Sequence, residues 1–200
     1  AEAAVPFKEM EELSFQALFS KFTVKAAEIQ FRISFLPPPF SPPIWHFRAT
    51  AQTVYPVRLL YPVDDQFDSY TDAVRLTSLQ YEMYLRESGQ KQDSTWRMDT
   101  GEESIPSGVS AAKVIPGTRD PLGLLYALRA ADWKTSPELR APVFEGRHLY
   151  EVQARLGETA TFALEPRTDL LERFGTLYRV ADGRRLGGIE ASDFHYPLPF

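Results

Sequence analysis

Residues 115–133 hold the charged side chains of this sequence that are best placed to bind a molecule. The segment reads IPGTRDPLGLLYALRAADW. Asp120 and Pro121 are typical of a helix start, because an N-cap carboxylate accepts from the free amides of the first turn and the proline gives up no hydrogen bond. Arg129 follows among leucines, and a buried arginine needs a carboxylate, a carbonyl or an anion beside it. Either Arg129 forms a salt bridge that fixes the helix to a sheet, or it clamps the anionic group of a ligand at the mouth of an apolar cavity.

The same segment predicts one helix over residues 120–131. Leu122, Leu125, Tyr126 and Arg129 share one face, because they are spaced by three and four residues. Leucines also cover a neighbouring stripe, so we expect the helix to be largely buried. Asp120 and Pro121 are assigned a structural role. The candidate ligand-binding residues of this segment are Arg119, Tyr126, Arg129 and Trp133.

Other reactive side chains form no catalytic or metal-binding pattern. His46, His148 and His195 are far apart in the sequence and lack the close spacing of zinc ligands. The acidic segment 64–72 lacks the order of a calcium loop, so we expect Asp72 to play a structural part by capping a turn or pairing with an arginine such as Arg129. Cysteine is absent, which excludes disulfides, thiolate catalysis and cysteine-ligated metals. We expect a protein without enzymatic activity, cofactor or metal.

Strands must position these residues, because apolar and polar side chains alternate along much of the chain. Such alternation is typical of antiparallel strands with one dry and one wet face. Glycine-containing turn signals separate the alternating segments. We therefore predict a mostly β fold, a curved antiparallel sheet in a half-barrel or barrel-like meander packed on one central helix. The predicted strands are 28–34, 45–53, 79–86, 150–156 and the shorter 160–165 and 176–180.

A proline-rich loop at residues 36–44 interrupts this pattern. Five prolines impose an extended path and remove backbone donors, so the segment connects two strands. Either it is a rigid connection that packs on its own sheet, or it is a docking loop, since a preformed polyproline segment loses little entropy on binding. In the docking interpretation, Phe40, Ile44 and Trp45 contact the partner.

The composition indicates one globular domain. The 200 residues are 44% hydrophobic and carry a net charge of −5, and no cluster of basic residues suggests nucleic-acid binding. No apolar run is long enough for a transmembrane helix. The start AEAAVPF resembles the residues that follow a removed signal peptide, which favours a periplasmic or extracellular location. We divide the chain into an N-terminal segment, 1–12, and a single β-rich domain, 13–200.

The sequence resembles an exported bacterial family known only as domain of unknown function 3108. The resemblance is carried by a motif of isoleucine, proline, four residues, Asp-Pro-Leu, three residues, tyrosine, two residues and arginine. The flanking segments 65–89, 144–166 and 178–191 resemble the family's strands, although Ala26-Ala27 replaces a glycine that is common there and the proline-rich loop is an elaboration. The motif residues here are Ile115, Pro116, Asp120, Pro121, Leu122, Tyr126 and Arg129.

The resemblance implies a secreted or periplasmic β-rich protein, with no known activity or catalytic residue. Our first hypothesis is an envelope protein that binds a hydrophobic or lipid-like molecule in a cavity between sheet and helix. The alternative is a structural or interaction protein of an envelope assembly, which docks through the proline-rich loop and exposed aromatic edges.

Overall fold

The computed structural model describes residues 5–19, 24–37, 42–101, 110–157 and 189–195. These residues form two sheets and one α-helix, so the predicted mostly β class is confirmed. Strands β1 to β7 follow one another in a seven-stranded meander, which is not closed, and β8 to β10 form a smaller sheet in the order β10-β9-β8. Every pairing is antiparallel except that of β6 with β7.

The elements have the following bounds. In the large sheet they are β1 (Glu12–Phe19), β2 (Val24–Leu36), β3 (Ile44–Thr53), β4 (Asp64–Asp72), β5 (Ser78–Glu87), β6 (Gln90–Asp99) and β7 (Ala111–Lys113). They are followed by α1 (Pro121–Ala130), β8 (Glu138–Phe144), β9 (Leu149–Leu156) and β10 (Ile189–His195). A short 3₁₀ turn, Val57–Leu59, lies between β3 and β4. Within the described ranges, no helix has the length and apolarity needed to cross a membrane.

The alternation of side chains along the strands sets which face of the large sheet is buried. Ile33, Phe47 and Ser69 lie opposite one another on β2, β3 and β4, and all three are buried. Their neighbours along the strands point to the other face, since successive side chains of a strand alternate. The predicted strands 28–34, 45–53, 79–86 and 150–156 are confirmed, whereas 160–165 and 176–180 lie outside the described residues.

The proline-rich loop connects two neighbouring strands, as predicted. Leu36 ends β2, Ile44 begins β3, and these two residues pair across the hairpin. Phe40 lies outside the described residues. Ile44 is half-buried, and so is Trp45, which packs in the core with its ring centroid 5.3 Å from that of Phe7. Trp45 is a candidate partner-binding residue, and the structure places it in this core, because the pleat of β3 points it inward, on the same face as Phe47.

Aromatic side chains fill the space between α1 and the large sheet. The ring of Tyr126 stacks on that of Phe47 with centroids 3.8 Å apart, and Phe7 packs edge-on against both. Phe7 is only 3% exposed, so the segment before β1 contributes to the core of the domain. The other buried members of this core are Ile33, Ala49, Leu76, Leu122 and Ala127.

The small sheet covers another side of the helix. Leu128 of α1 and Ala154 of β9 are buried together, with Leu124, Trp133 and Leu139 packed around them. Asp120 and Ala131 bound the helix on either side, which agrees with the predicted span 120–131. The helix thus lies between the two sheets, and most of its side chains are inaccessible to a ligand.

Candidate functional site

Arg129 already has a partner, and that partner is Glu11. Its Nη1 and Nη2 donate to Oε1 and Oε2 of Glu11 at 2.5 and 3.2 Å. The two side chains are 5% and 8% exposed, and the guanidinium lies over the rings of Phe7 and Tyr126. The geometry is that of a structural salt bridge, since both carboxylate oxygens are used and aromatic rings cover the cation. Of the two interpretations of Arg129, the structure therefore favours the salt bridge that fixes the helix over the clamp for a ligand's anionic group.

Asp72 is not the partner of Arg129. Its Oδ1 accepts from the backbone amides of Val74 and Arg75 at 2.7 and 2.8 Å, which caps the turn between β4 and β5. The suggestion that Asp72 pairs with Arg129 is thus wrong, while its expected structural role as a capping residue is confirmed.

Two further candidate residues of the helix segment belong to the core. Tyr126 is 1% exposed, and burial raises the pKa of its hydroxyl. The indole N–H of Trp133 donates to the carbonyl of Leu128 at 2.9 Å, so its polar atom is engaged. The ligand-binding space expected between sheet and helix is occupied by the protein's own side chains.

Asp120 anchors the start of the helix to the large sheet. Its side chain accepts from the hydroxyls of Ser69 and Ser78 at 2.6 and 2.5 Å and from the amide of Gly123 at 2.8 Å. Burial raises the pKa of this fully buried carboxyl, although these donors and the amide of Leu122 act to lower it. The predicted N-cap is confirmed, with Pro121 in the first turn. The two serines were missed as its partners, because they lie on strands distant in the sequence.

A cavity of about 580 Å³ opens at the end of the large sheet. Its walls come from the loop before β3, the turn between β4 and β5 with the start of β5, the end of β6 and residues 114–118. Pro116, from the first part of the motif, thus lines a cavity. Tyr126 and Arg129, from its second part, belong to the core. Apolar side chains form much of the wall, namely those of Pro42, Val74, Leu79, Met98, Val114 and Pro116. Sequence reasoning missed this site, because no single segment carries a recognisable part of it.

Among the described residues, the charged side chains in the cavity wall differ in whether they have a partner. Arg75 and Arg97 line it and form no ion pair among the described residues. Asp72 and Asp99 also line it, and each accepts from backbone amides of a neighbouring turn. In the described part of the chain, the two arginines of the wall therefore contact no carboxylate.

Arg119 is the one candidate ligand-binding residue that lies near this cavity. Its guanidinium donates to the carbonyls of Gly117 and Arg75, two residues of the cavity wall, at 3.2 and 3.4 Å. Burial lowers the pKa of Arg119, and its Nε is buried without a hydrogen-bond partner among the described residues. The side chain thus adds an incompletely satisfied charge behind the wall.

A second polar cluster lies on the opposite face of the large sheet, around Asp68. Nε2 of His46 and Nε of Arg48 lie 2.6 and 2.7 Å from Oδ1 of Asp68, and Gln66 donates to its Oδ2 at 2.6 Å. Burial acts to raise the pKa of this 1% exposed carboxyl, but hydrogen bonds from the three side chains hold it below its ordinary value. In the described segments no group of three or more histidine, aspartate or glutamate side chains is arranged to hold a metal ion.

A comparison with protein families matches most of the chain. The model of a family described as protein of unknown function (DUF3108) matches residues 14–164 of the 200. The chain belongs to the DUF3108 family. The match runs from β1 through β9 and includes the helix and the cavity wall. No curated protein and no solved structure matches the chain.

This DUF3108 protein also exposes an apolar turn between β3 and β4. Tyr55, Leu59, Leu60 and Tyr61 are 65–77% exposed. Arg58 holds the turn in place, because it donates to both carboxylate oxygens of Asp64 and to the carbonyls of Thr53 and Val63. A rigid turn with four outward apolar side chains is unusual on a free surface and is typical of contact sites. These exposed aromatic residues lie in a different loop from the one predicted.

Proposed function

We propose that this DUF3108 protein is a non-enzymatic protein of the bacterial envelope that binds a small hydrophobic or lipid-like molecule. The cavity at the end of the large sheet is the observation that carries the proposal. Its volume of about 580 Å³ lies within the range of roughly 300–1,000 Å³ that is usual for small-molecule sites. Its wall combines apolar side chains with a few polar groups, which is also usual for such sites.

The cavity does not lie where the sequence led us to expect a ligand, between the sheet and the helix. In that space the rings of Phe7, Phe47 and Tyr126 pack against one another. The cavity instead lies beyond the N-terminal side of the helix, where Pro116 and Thr118 lead into it. The envelope location in this proposal rests on the resemblance to an exported bacterial family, which implies a secreted or periplasmic protein.

Filling the cavity tests the proposal. Leu79 lines the cavity and is half-buried, so Leu79→Trp places a larger side chain there. Leu85→Trp is the matched control, because Leu85 is also half-buried, lies on the same strand and is not part of the wall. Binding of decanol and decanoate is measured by isothermal titration calorimetry. We expect the wild type and the control to bind the probes and Leu79→Trp to lose this binding. If none of the three proteins binds, or if all three bind equally, the proposal is contradicted.

The exposed turn supports a second candidate, an interaction protein of an envelope assembly. Its occupant would be a partner protein with an apolar groove that receives Leu59 and Leu60 between the two tyrosines. A photo-crosslinking residue at Tyr61, with one at exposed Thr95 on β6 as control, tests this in the native envelope. A discrete product with another protein from position 61 alone supports it. Products from both positions, or from neither, contradict it.

A further inference from the structure

We infer that the cavity selects a molecule with an apolar body and one anionic head group, a carboxylate or a phosphate, bound by Arg75 and Arg97. The inference rests on the proposed function and adds the chemistry of the ligand. It follows from the charges around the cavity and from the way the other arginines are paired.

Most arginines in the described part of the chain have a carboxylate partner. The paired ones are Arg32, Arg48, Arg58, Arg86, Arg129 and Arg140. Of the rest, Arg147 and Arg155 are exposed and are not part of the cavity wall. Arg75, which is also exposed, and half-buried Arg97 line the cavity, and Arg119 donates to the Arg75 carbonyl from behind the wall. Neighbouring arginines that form no ion pair are well suited to bind a carboxylate or a phosphate, since the guanidinium fork matches both groups.

The local charge balance leaves room for one negative charge. The wall contains two arginines, Arg75 and Arg97, and two aspartates, Asp72 and Asp99. Arg119 adds one positive charge behind the wall, where it donates to two wall carbonyls. Oδ1 of each aspartate is directed at the backbone amides of a turn, so the aspartates do not form ion pairs with the arginines. Among the described residues, a single anion in the cavity would balance this group of charges.

Partial burial strengthens the attraction between this positive charge and an anion. Arg97 and Arg119 are half-buried, and the Nε of Arg119 has no hydrogen-bond partner among the described residues. Charges interact more strongly where water is partly excluded, and an incompletely paired buried cation is costly to the folded state. An anion beside half-buried Arg97 therefore gains more attraction than one beside a fully exposed arginine, and exposed Arg75 adds a second, better solvated donor.

The apolar wall determines the rest of the ligand. Leu79, Met98 and Val114 line the interior, and Val74 lies at the exposed turn. A free inorganic anion would leave these side chains without a contact. A molecule with an alkyl body covers them while its head group reaches Arg97.

Calorimetry with three probes tests the inference: decanoate, decyl phosphate and decanol, which share one alkyl chain. We expect at least one of the two anions to bind the wild type about tenfold more tightly than decanol, since charge-assisted hydrogen bonds contribute energies of that order. Arg97→Gln should remove most of this preference without weakening decanol, and Arg97→Lys should retain part of it. Arg140→Gln is the matched control, because Arg140 lies exposed on β8 and pairs with Glu138. Circular dichroism verifies that each variant is folded.

The outcomes separate the inference from the proposed function. Preference for decanoate alone or for decyl phosphate alone supports the inference and identifies the head group. Equal affinity for all three probes overturns it while leaving ligand binding in the cavity intact, and so does an equal loss for all three in Arg97→Gln. Binding of none of the probes overturns both.

Discussion

Arg129 in α1 and Glu11 before β1 lie 118 residues apart in the sequence and form a buried bidentate salt bridge. The pair fixes the helix to the start of the chain, and Phe7 beside it completes the aromatic core over β3. The motif arginine of the DUF3108 chain thus acts in the packing of the domain.

Breaking this pair should destabilise the protein strongly. Glu11→Gln leaves the Arg129 cation buried without a counter-charge, and we expect a loss of about 3–5 kcal/mol in the free energy of unfolding. Replacing both residues by apolar ones, Glu11→Leu with Arg129→Met, should recover most of the loss, because no charge remains buried. Chemical denaturation measures all of these variants.

Glu12→Gln is the matched control for this experiment. Glu12 pairs with Arg32, but both side chains are more than half exposed, so the expected loss is below about 1 kcal/mol. If Glu11→Gln and Glu12→Gln lowered the free energy of unfolding equally, the buried pair would contribute no more to stability than the exposed one.

Gly123 should not tolerate alanine, although alanine is the better helix former. A Cβ at this position would lie 2.7 Å from Oγ of Ser78 and 3.3 Å from Oγ of Ser69. We expect Gly123→Ala to lower the free energy of unfolding by about 1–3 kcal/mol, whereas an open helix position would gain about 1 kcal/mol. In a Ser78→Ala background the loss should shrink, because the closest atom is gone. A loss of the same size in both backgrounds would rule out the steric explanation.

Asp68 should make stability depend on pH in the acid range. Its pKa is lowered in the folded state by His46, Arg48 and Gln66. The folded state therefore binds fewer protons there than the unfolded state, whose aspartates titrate at about 3.9. The stabilisation is present above that pH and is lost as the pH falls through the lower folded pKa.

Thermal unfolding between pH 2 and pH 6 measures this effect. Asp68→Asn should give a shallower decline with acidification than the wild type, because the group that takes up the proton is gone. Glu9→Gln, at an exposed carboxylate, should leave the curve unchanged. Parallel curves for the wild type and Asp68→Asn would mean that other carboxylates govern acid unfolding.

The exposed apolar turn should be dispensable for folding. Leu59 and Leu60 are 73% and 77% exposed, so replacing both by serine should change the free energy of unfolding by less than about 0.5 kcal/mol per site. The same variant should lose the cross-linked product at position 61. A large loss of stability would indicate that the turn packs within the domain and is not a contact surface.

Local features of the chain were predictable from the sequence. Alternating side chains place the strands, and the Asp120-Pro121 pair sets the helix start, because a strand's pleat and a helix cap act over a few residues. The antiparallel meander also follows, since successive strands joined by short turns pair with their neighbours. The candidate residues Asp72 and Asp120 were assigned structural roles for the same local reason.

Contacts between distant segments were not predictable in this way. Arg129 needed an anionic partner on chemical grounds, but only the folded chain selects Glu11 over Asp72. Trp45 was expected at an exposed edge and packs against Phe7, because a segment before β1 returns to cover the sheet.

The cavity is the clearest example of a feature that could not be predicted because it is built from distant segments. Its arginines come from the β4–β5 turn, from β6 and from the segment before α1, and of these only Arg119 was a candidate from the sequence. The sequence by itself determined the mostly β class, the single capped helix and the need for a partner to Arg129. Tertiary structure alone decided that Phe7, Phe47 and Tyr126 pack together under the helix and that a cavity opens beside it, because packing depends on side chains that meet only after the chain has folded.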